Sequence, residues 1–210
     1  MKKIESTWYN MAIVLTLIAL IAGAALGSVN NLTKDAIAAI GEKKLAEGIT
    51  KVLNAPEVTV EKQDTIAATD GKSVAVIYRT DKGVAVKAQD NNAFSGLLTV
   101  LVGFDADGNI LGYEILESSE TPGLGAKASQ WFQKGQKGDI IGMCPGKNDM
   151  KVSKDGGEVD AITASTITSR AFLRAINVAY SVLQDASADV QSGATLQTGQ
   201  EQSNEAVNKE

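Results

Sequence analysis

One segment of this chain concentrates residues that could hold a charged ligand. Five of the seven positions from Thr163 to Ser169 are hydroxyl residues, and an apolar helical pattern follows them. A single Ser or Thr would be enough to cap that helix, and capping is the simpler interpretation. The excess of hydroxyls at a helix start, where amides are unpaired and the helix dipole is positive, favours a phosphate site.

A second segment, residues 120–125, has the sequence ETPGLG and directly follows a predicted β-hairpin. Its glycines, Gly123 and Gly125, would let a flat ligand approach the backbone closely, and Pro122 stiffens the chain before them. An ordinary turn is the other interpretation of these residues.

Composition excludes several kinds of site. The chain has 210 residues, no histidine and a single cysteine, Cys144, which we interpret as a structural thiol. This excludes His-ligated zinc or haem, Ser-His and Cys-His catalytic pairs, an intrachain disulfide and an iron–sulfur cluster held by this chain alone. We expect no metal site. The formal net charge of −5 argues against nucleic acid binding. The sequence has no lysine-bearing GxxxxGK loop, which argues against a nucleotide triphosphatase.

The N-terminal part contains a candidate membrane span. Residues 6–33 include no charged side chain, and the 19 residues 11–29 are almost entirely apolar. At a rise of about 1.5 Å per residue such a helix nearly crosses a hydrocarbon core of about 30 Å. Trp8 and Tyr9 stand at one end, where aromatic rings favour the membrane interface. We predict a transmembrane anchor over residues 1–30, and a cleaved signal peptide is the alternative.

The lysines that flank this span do not decide its orientation. Lys2 and Lys3 precede it, and Lys34, Lys43 and Lys44 follow it among acidic residues. Positive charge therefore lies on both sides, and the charge count leaves open which end faces the cytoplasm.

Four segments read as strands of two β-hairpins. Residues 73–80 and 84–89 flank one short turn, and residues 96–104 and 110–116 flank another. Apolar residues alternate in the third segment, which predicts one buried face for that strand. Its alternating residues are Leu98, Val100, Val102 and Phe104.

Helical patterns flank these strands. Residues 32–53 have a rough helical period, so we assign residues 31–70 to a helical linker region. Residues 168–183 have an apolar stripe and close a folded domain over residues 71–184. Residues 185–210 are polar and are predicted to be a disordered tail. Antiparallel strand pairs followed by a helix indicate the α+β class.

The combination of these features is similar to a known family. An ETPGLG segment followed by a hydroxyl-rich helix start, behind one N-terminal span, resembles the G subunit of the Rnf electron-transport complex. The C subunit of the sodium-pumping NADH:quinone oxidoreductase looks similar over the same domain. The resemblance extends from the anchor to about Gln184. It implies an FMN-binding domain in which FMN is joined covalently, by a phosphoester, to the last threonine of a D-x-x-S/T-G-A/S-T pattern.

On this sequence the pattern runs from Asp160 to Thr166, so the resemblance implies Thr166 as the flavinylated residue. Ala164 stands where the family usually has glycine, and its methyl group disfavours a positive φ. Ser165 stands where alanine is commoner. A second match, SGAT ending at Thr195, lies in the polar tail without an apolar helix after it, so we interpret it as a chance copy.

The resemblance also implies which residues surround the FMN and what they do. The flavin would carry the electron chemistry, so no side chain is expected to act as acid, base or nucleophile, and no independent catalysis is expected. Besides Thr166, the residues expected to bind FMN or lie near its ring are Glu120, Thr121, Gly123, Leu124, Gly125, Lys127, Thr163, Ser165 and Thr168.

By the same resemblance, the chain is an electron-carrying subunit of a membrane complex that passes electrons between ferredoxin and NAD and moves sodium ions or protons. The chain has no GxGxxG fingerprint and no cysteine cluster, so partner subunits would hold the NAD and iron–sulfur sites. A flavin transferase would attach the FMN. The soluble domain would lie on the outer, periplasmic side of the bacterial inner membrane. The alternatives are the quinone-reductase subunit and a non-redox, membrane-anchored binding domain.

Overall fold

The computed structural model describes residues 7–56, 58–67 and 74–192. They fall into two compact units, one ending at Ala46 and the other beginning at Glu47. The helices are α1 (Trp8–Val52), α2 (Ala128–Trp131) and α3 (Thr166–Ser192). The strands are β1 (Val60–Ala67), β2 (Val74–Thr80), β3 (Gly83–Ala93), β4 (Gly96–Phe104) and β5 (Ile110–Ser118).

Most of α1 forms the first unit, and it contains the predicted span. By length and composition this helix can cross a membrane, since an 18-residue window has a mean hydropathy of 2.4 and none of it is buried. Thr16 and Ser28 donate their hydroxyl protons to carbonyl oxygens four residues earlier, each at 2.8 Å. These side chains therefore leave no unpaired donor in an apolar surrounding.

The second unit is built on an antiparallel sheet with the strand order β1-β2-β3-β4-β5. The two predicted hairpins are confirmed as β2–β3 and β4–β5. Strand β1 lies within residues 31–70, for which the sequence pattern predicted only a helical linker. Its sequence, VEKQDTIA, has no apolar alternation, and residues 60–63 and 65 are exposed, so neither side of this part of the edge strand contributes to the core.

The predicted buried face of β4 is confirmed, and the opposite face of this strand is buried as well. Val100 and Val102 are fully buried on one side, and Leu101 is fully buried on the other. The last turn of α1 covers this second face, where a side chain at Gly103 would collide with the Val52 carbonyl oxygen. Glycine at this position lets the helix end lie directly on the sheet.

Helix α3 packs on the opposite face, and its predicted apolar stripe is buried at Phe172, Ile176, Ala179 and Leu183. The helix continues to Ser192, although the composition predicted a disordered tail from residue 185 onwards. Ala186 extends the stripe and is 3% exposed, and this packing supports the extra turns. Residues 193–210, including Thr195, lie outside the described residues. The arrangement is the α+β fold that the sequence predicts.

Candidate functional site

The two segments singled out in the sequence meet at the carboxylate of Glu120. Thr168, in the first turn of α3, donates its hydroxyl proton to Glu120 Oε2 at 2.9 Å. The backbone N–H of Ser95, at the tip of the β3–β4 hairpin, donates to Glu120 Oε1 at 3.1 Å. Glu120 is 8% exposed, so its carboxylate oxygens rely on these donors for hydrogen bonds. One buried carboxylate thus joins three segments that are distant in sequence.

The glycines of residues 120–125 serve this junction in different ways. A side chain at Gly125 would collide with Glu120 Oε2 and approach Thr168 Oγ1 to 2.8 Å. Gly125 therefore allows the protein's own side chains to meet, whereas the sequence suggested an approach by a ligand. Gly123 has a φ of +77° and an open surrounding, so it is needed for the turn conformation. The Thr121 carbonyl closes this turn by accepting from the N–H of Leu124 at 3.1 Å.

Two hydroxyls at the start of α3 face the interior and are fully used. Thr168 and Ser169 are both 0% exposed. Ser169 Oγ donates to the Ser165 carbonyl and accepts from the N–H of Ile162, both at 3.0 Å. These hydroxyls hold the preceding loop against the helix, which is a structural role.

The remaining hydroxyls of this segment are more accessible. Thr166, the first residue of α3, is half-buried, and Thr163 is exposed, whereas Ser165 is 9% exposed. Because α3 begins at Thr166, the amides of its first turn have no carbonyl acceptor four residues earlier within the helix. A phosphoryl group on Thr166 would lie at this electropositive helix end. The residues present therefore fit a phosphoester at this position.

The loop before Thr166 contains a backbone conformation that alanine rarely adopts. Ala164 has a φ of +62°, and the Ser165 N–H donates to the Ile162 carbonyl at 3.0 Å to close the turn around it. The left-handed region costs an alanine about 1 kcal/mol relative to glycine. The loop therefore keeps a glycine-like geometry although glycine is absent.

A cation lies one helical turn beyond Thr166. The guanidinium of Arg170 forms two hydrogen bonds to the Asp155 carboxylate, at 2.7 and 2.6 Å. This pairing lowers the pKa of Asp155 and raises that of Arg170. Residues four apart on a helix share a face, so this exposed pair borders the accessible side of the α3 start.

The loop is also held from the side of α2. Trp131 donates its indole N–H to the carbonyl oxygen of Asp160 at 2.9 Å, and Ser153 donates to the Asp160 carboxylate at 3.2 Å. Lys127, a predicted neighbour of the flavin ring, is exposed at the end of a 3-10 turn. Ser95 and Trp131 were not predicted from the sequence, because each acts through a hydrogen bond that involves a backbone group and a residue far away in the chain.

Cys144 has a different surrounding. It is 3% exposed, and its Sγ lies 3.7 Å from the hydroxyl of Tyr180 on α3. Hydrogen bonding to Cys144, together with partial burial, raises the pKa of Tyr180. Within residues 7–56, 58–67 and 74–192, no group of three or more His, Cys, Asp or Glu side chains is arranged to hold a metal ion.

Comparison with known proteins gives matches that cover this whole region. A family model described as FMN-binding domain matches residues 94–181. The G subunit of the Na(+)-translocating ferredoxin:NAD(+) oxidoreductase complex of Acetobacterium woodii is 30% identical over 214 residues, covering 89% of this chain and 98% of that protein. The G subunit of the ion-translocating oxidoreductase complex of Aliivibrio fischeri is 30% identical over 186 residues, covering 81% of this chain and 88% of that protein. Its counterpart in Cronobacter sakazakii is 40% identical over 113 residues, covering 50% of this chain and 52% of that protein.

Proposed function

The chain belongs to the G-subunit family of ion-translocating oxidoreductase complexes, and on that premise we propose that it relays electrons through an FMN esterified to Thr166. The observation that carries this proposal is the junction at Glu120. It ties the ETPGLG turn to the first turn of α3, next to a threonine that is half-buried and begins the helix. A bound FMN would supply the electron chemistry, and the side chains would bind and orient it.

Attachment of the flavin requires help from another protein. A threonine hydroxyl is a weak nucleophile unless a base activates it, and this chain has no histidine. We propose that a dedicated flavin transferase supplies the activation. The partial exposure of Thr166 at the start of α3 supports access by such an enzyme.

The residues around Thr166 divide the binding tasks. The first-turn amides of α3 and the nearby Arg170 would stabilise the negative charge of the phosphoester. The exposed residues Thr121, Gly123 and Leu124 offer a surface beside the ring, and Thr163 and Ser165 shape the loop that presents the acceptor. Glu120, Gly125 and Thr168 would contribute by holding the two segments together.

We further propose that the chain works as one component of an Rnf-type complex, with α1 as its membrane anchor. The relatives from Acetobacterium woodii and Aliivibrio fischeri are components of ion-translocating oxidoreductase complexes, which favours this assignment over the quinone-reductase subunit. Ferredoxin and NAD would react at other subunits, and the soluble domain would face the outer side of the membrane.

The test is flavin attachment in full-length protein co-expressed with a flavin transferase. A covalent flavin keeps a fluorescent band on a denaturing gel, so Thr166→Ala is expected to abolish that band. Thr195→Ala is the matched control, because it removes the last threonine of the literal SGAT copy, and it should leave the band unchanged. A band that survives Thr166→Ala would move the attachment site elsewhere and contradict the proposal.

A further inference from the structure

Three of the large apolar side chains that are exposed in the second unit stand next to the residues that contact Glu120. Among the described residues of this unit, the exposed large apolar side chains are Val60, Phe94, Leu111, Leu124 and Ile167. Phe94, Leu124 and Ile167, which we call the apolar rim, are 67%, 42% and 49% exposed. Single exposed apolar residues are ordinary on a protein surface, but a group around one site indicates that something covers it.

Each rim residue directly precedes a residue that contacts the carboxylate of Glu120. Phe94 directly precedes Ser95, whose N–H donates to this carboxylate at 3.1 Å. Ile167 directly precedes Thr168, whose hydroxyl donates to it at 2.9 Å. Leu124 directly precedes Gly125, which packs against the same group. Since consecutive Cα atoms are about 3.8 Å apart, the backbone of each rim residue lies close to a residue that contacts this carboxylate.

The rim also adjoins the proposed attachment point, because Ile167 follows Thr166 directly. A ligand tethered at Thr166 therefore begins its path beside the rim. The isoalloxazine ring is planar and has an apolar edge, and such a ring packs well on a phenyl face and on aliphatic side chains. The Glu120 carboxylate already accepts hydrogen bonds from Thr168 and Ser95, and the exposed side chains of the rim are apolar.

We propose that the apolar rim is the contact surface for the isoalloxazine ring of the FMN on Thr166, and that Phe94 shields one side of the ring from water. This inference rests on the proposed function and adds Phe94 and Ile167 as ring-contact residues. A surface for a partner protein is the competing explanation of the same exposed side chains, and quenching of the flavin separates the two.

The test uses the full-length, flavinylated protein in detergent and measures how well iodide quenches the flavin fluorescence. Phe94→Ala should keep the fluorescent band on a denaturing gel, since the ester at Thr166 is intact. Its quenching constant should rise roughly twofold or more, because one side of the ring loses its cover. Leu111→Ala is the matched control, as an exposed apolar residue outside the rim, and should leave the quenching constant unchanged.

A second variant, Phe94→Trp, is expected to lower the flavin fluorescence directly, without added iodide. An indole in contact with a flavin quenches its fluorescence by electron donation, so Phe94→Trp should lose most of its flavin emission while Leu111→Trp keeps it. An unchanged quenching constant in Phe94→Ala together with unchanged flavin emission in Phe94→Trp would overturn the inference. Loss of co-purifying subunits in Phe94→Ala, with an unchanged quenching constant, would assign the rim to a partner protein. A wild-type band that lacks flavin would instead contradict the proposed function.

Discussion

Hydroxyl residues in the first turn of α3 serve two purposes on two sides of the helix. On the inner side, Thr168 and Ser169 are fully buried, and each hydroxyl joins the helix to another segment. On the outer side, Thr166 is half-buried beside the exposed Ile167. Side chains of the same chemical type thus differ in burial and partners, and under our proposal the buried ones stabilise the fold while Thr166 accepts the flavin.

On the inner side of the helix, the largest loss of stability is expected from Thr168→Val. This variant removes a donor from the buried carboxylate of Glu120 and leaves it the Ser95 N–H. The free energy of unfolding should fall by about 1–3 kcal/mol, which is the cost of an unsatisfied buried polar group. Chemical denaturation of the full-length protein measures this change.

The control for that experiment is Thr168→Ser, which keeps the hydroxyl and should lose less stability than the valine variant. If Thr168→Val were as stable as the wild type, the bridge to Glu120 would not be what holds the two segments together.

Ala164→Gly is expected to stabilise the loop that precedes Thr166. Glycine adopts a φ of +62° without strain, so the variant should gain about 0.5–1 kcal/mol in the free energy of unfolding and load at least as much flavin. Ala161→Gly, in the same loop and without a positive φ, should lose a similar amount. Equal destabilisation by both substitutions in thermal unfolding would mean that Ala164 is not strained.

The smallest effect is expected from Asp155→Asn, which removes the exposed ion pair with Arg170. Its destabilisation should be well below that of Thr168→Val and should shrink with added salt, because exposed pairs are screened. Arg170 lowers the pKa of Asp155 in the folded state. The contribution of this pair is therefore present above the pKa of the unfolded chain and is lost as the pH falls through the lowered folded value.

Denaturation curves of the wild type and Asp155→Asn should accordingly converge at acidic pH and separate at neutral pH. A difference that grows as the pH falls would contradict this assignment of the pair.

Local pattern was enough to predict much of the fold. Both hairpins and the stripe of α3 follow from periodicities of two and 3.6 residues, which a single segment carries by itself. Strand β1 was not predicted because its side chains at residues 60–63 and 65 are exposed on both sides of the strand, so its sequence has no apolar alternation. The second buried face of β4 escaped because it depends on Gly103 meeting the end of α1, about fifty residues earlier in the chain.

Part of the candidate site could likewise be predicted from the sequence, and part could not. The two segments were recognisable from their glycines and hydroxyls, and their proximity is now seen in the bond between Thr168 and Glu120. The division of those hydroxyls into buried and accessible ones depends on tertiary packing, and so does the recruitment of Ser95 from the β3–β4 hairpin. No spacing within a single segment carries that information.

The most direct test of the central claim is mass spectrometry of the peptide that contains Thr166, taken from protein isolated from its native membranes. We predict that this peptide carries the added mass of a phosphoester-linked FMN and that fragmentation assigns it to Thr166. An unmodified Thr166 peptide from protein that still holds its flavin, or an intact mass equal to the bare polypeptide, would contradict the account.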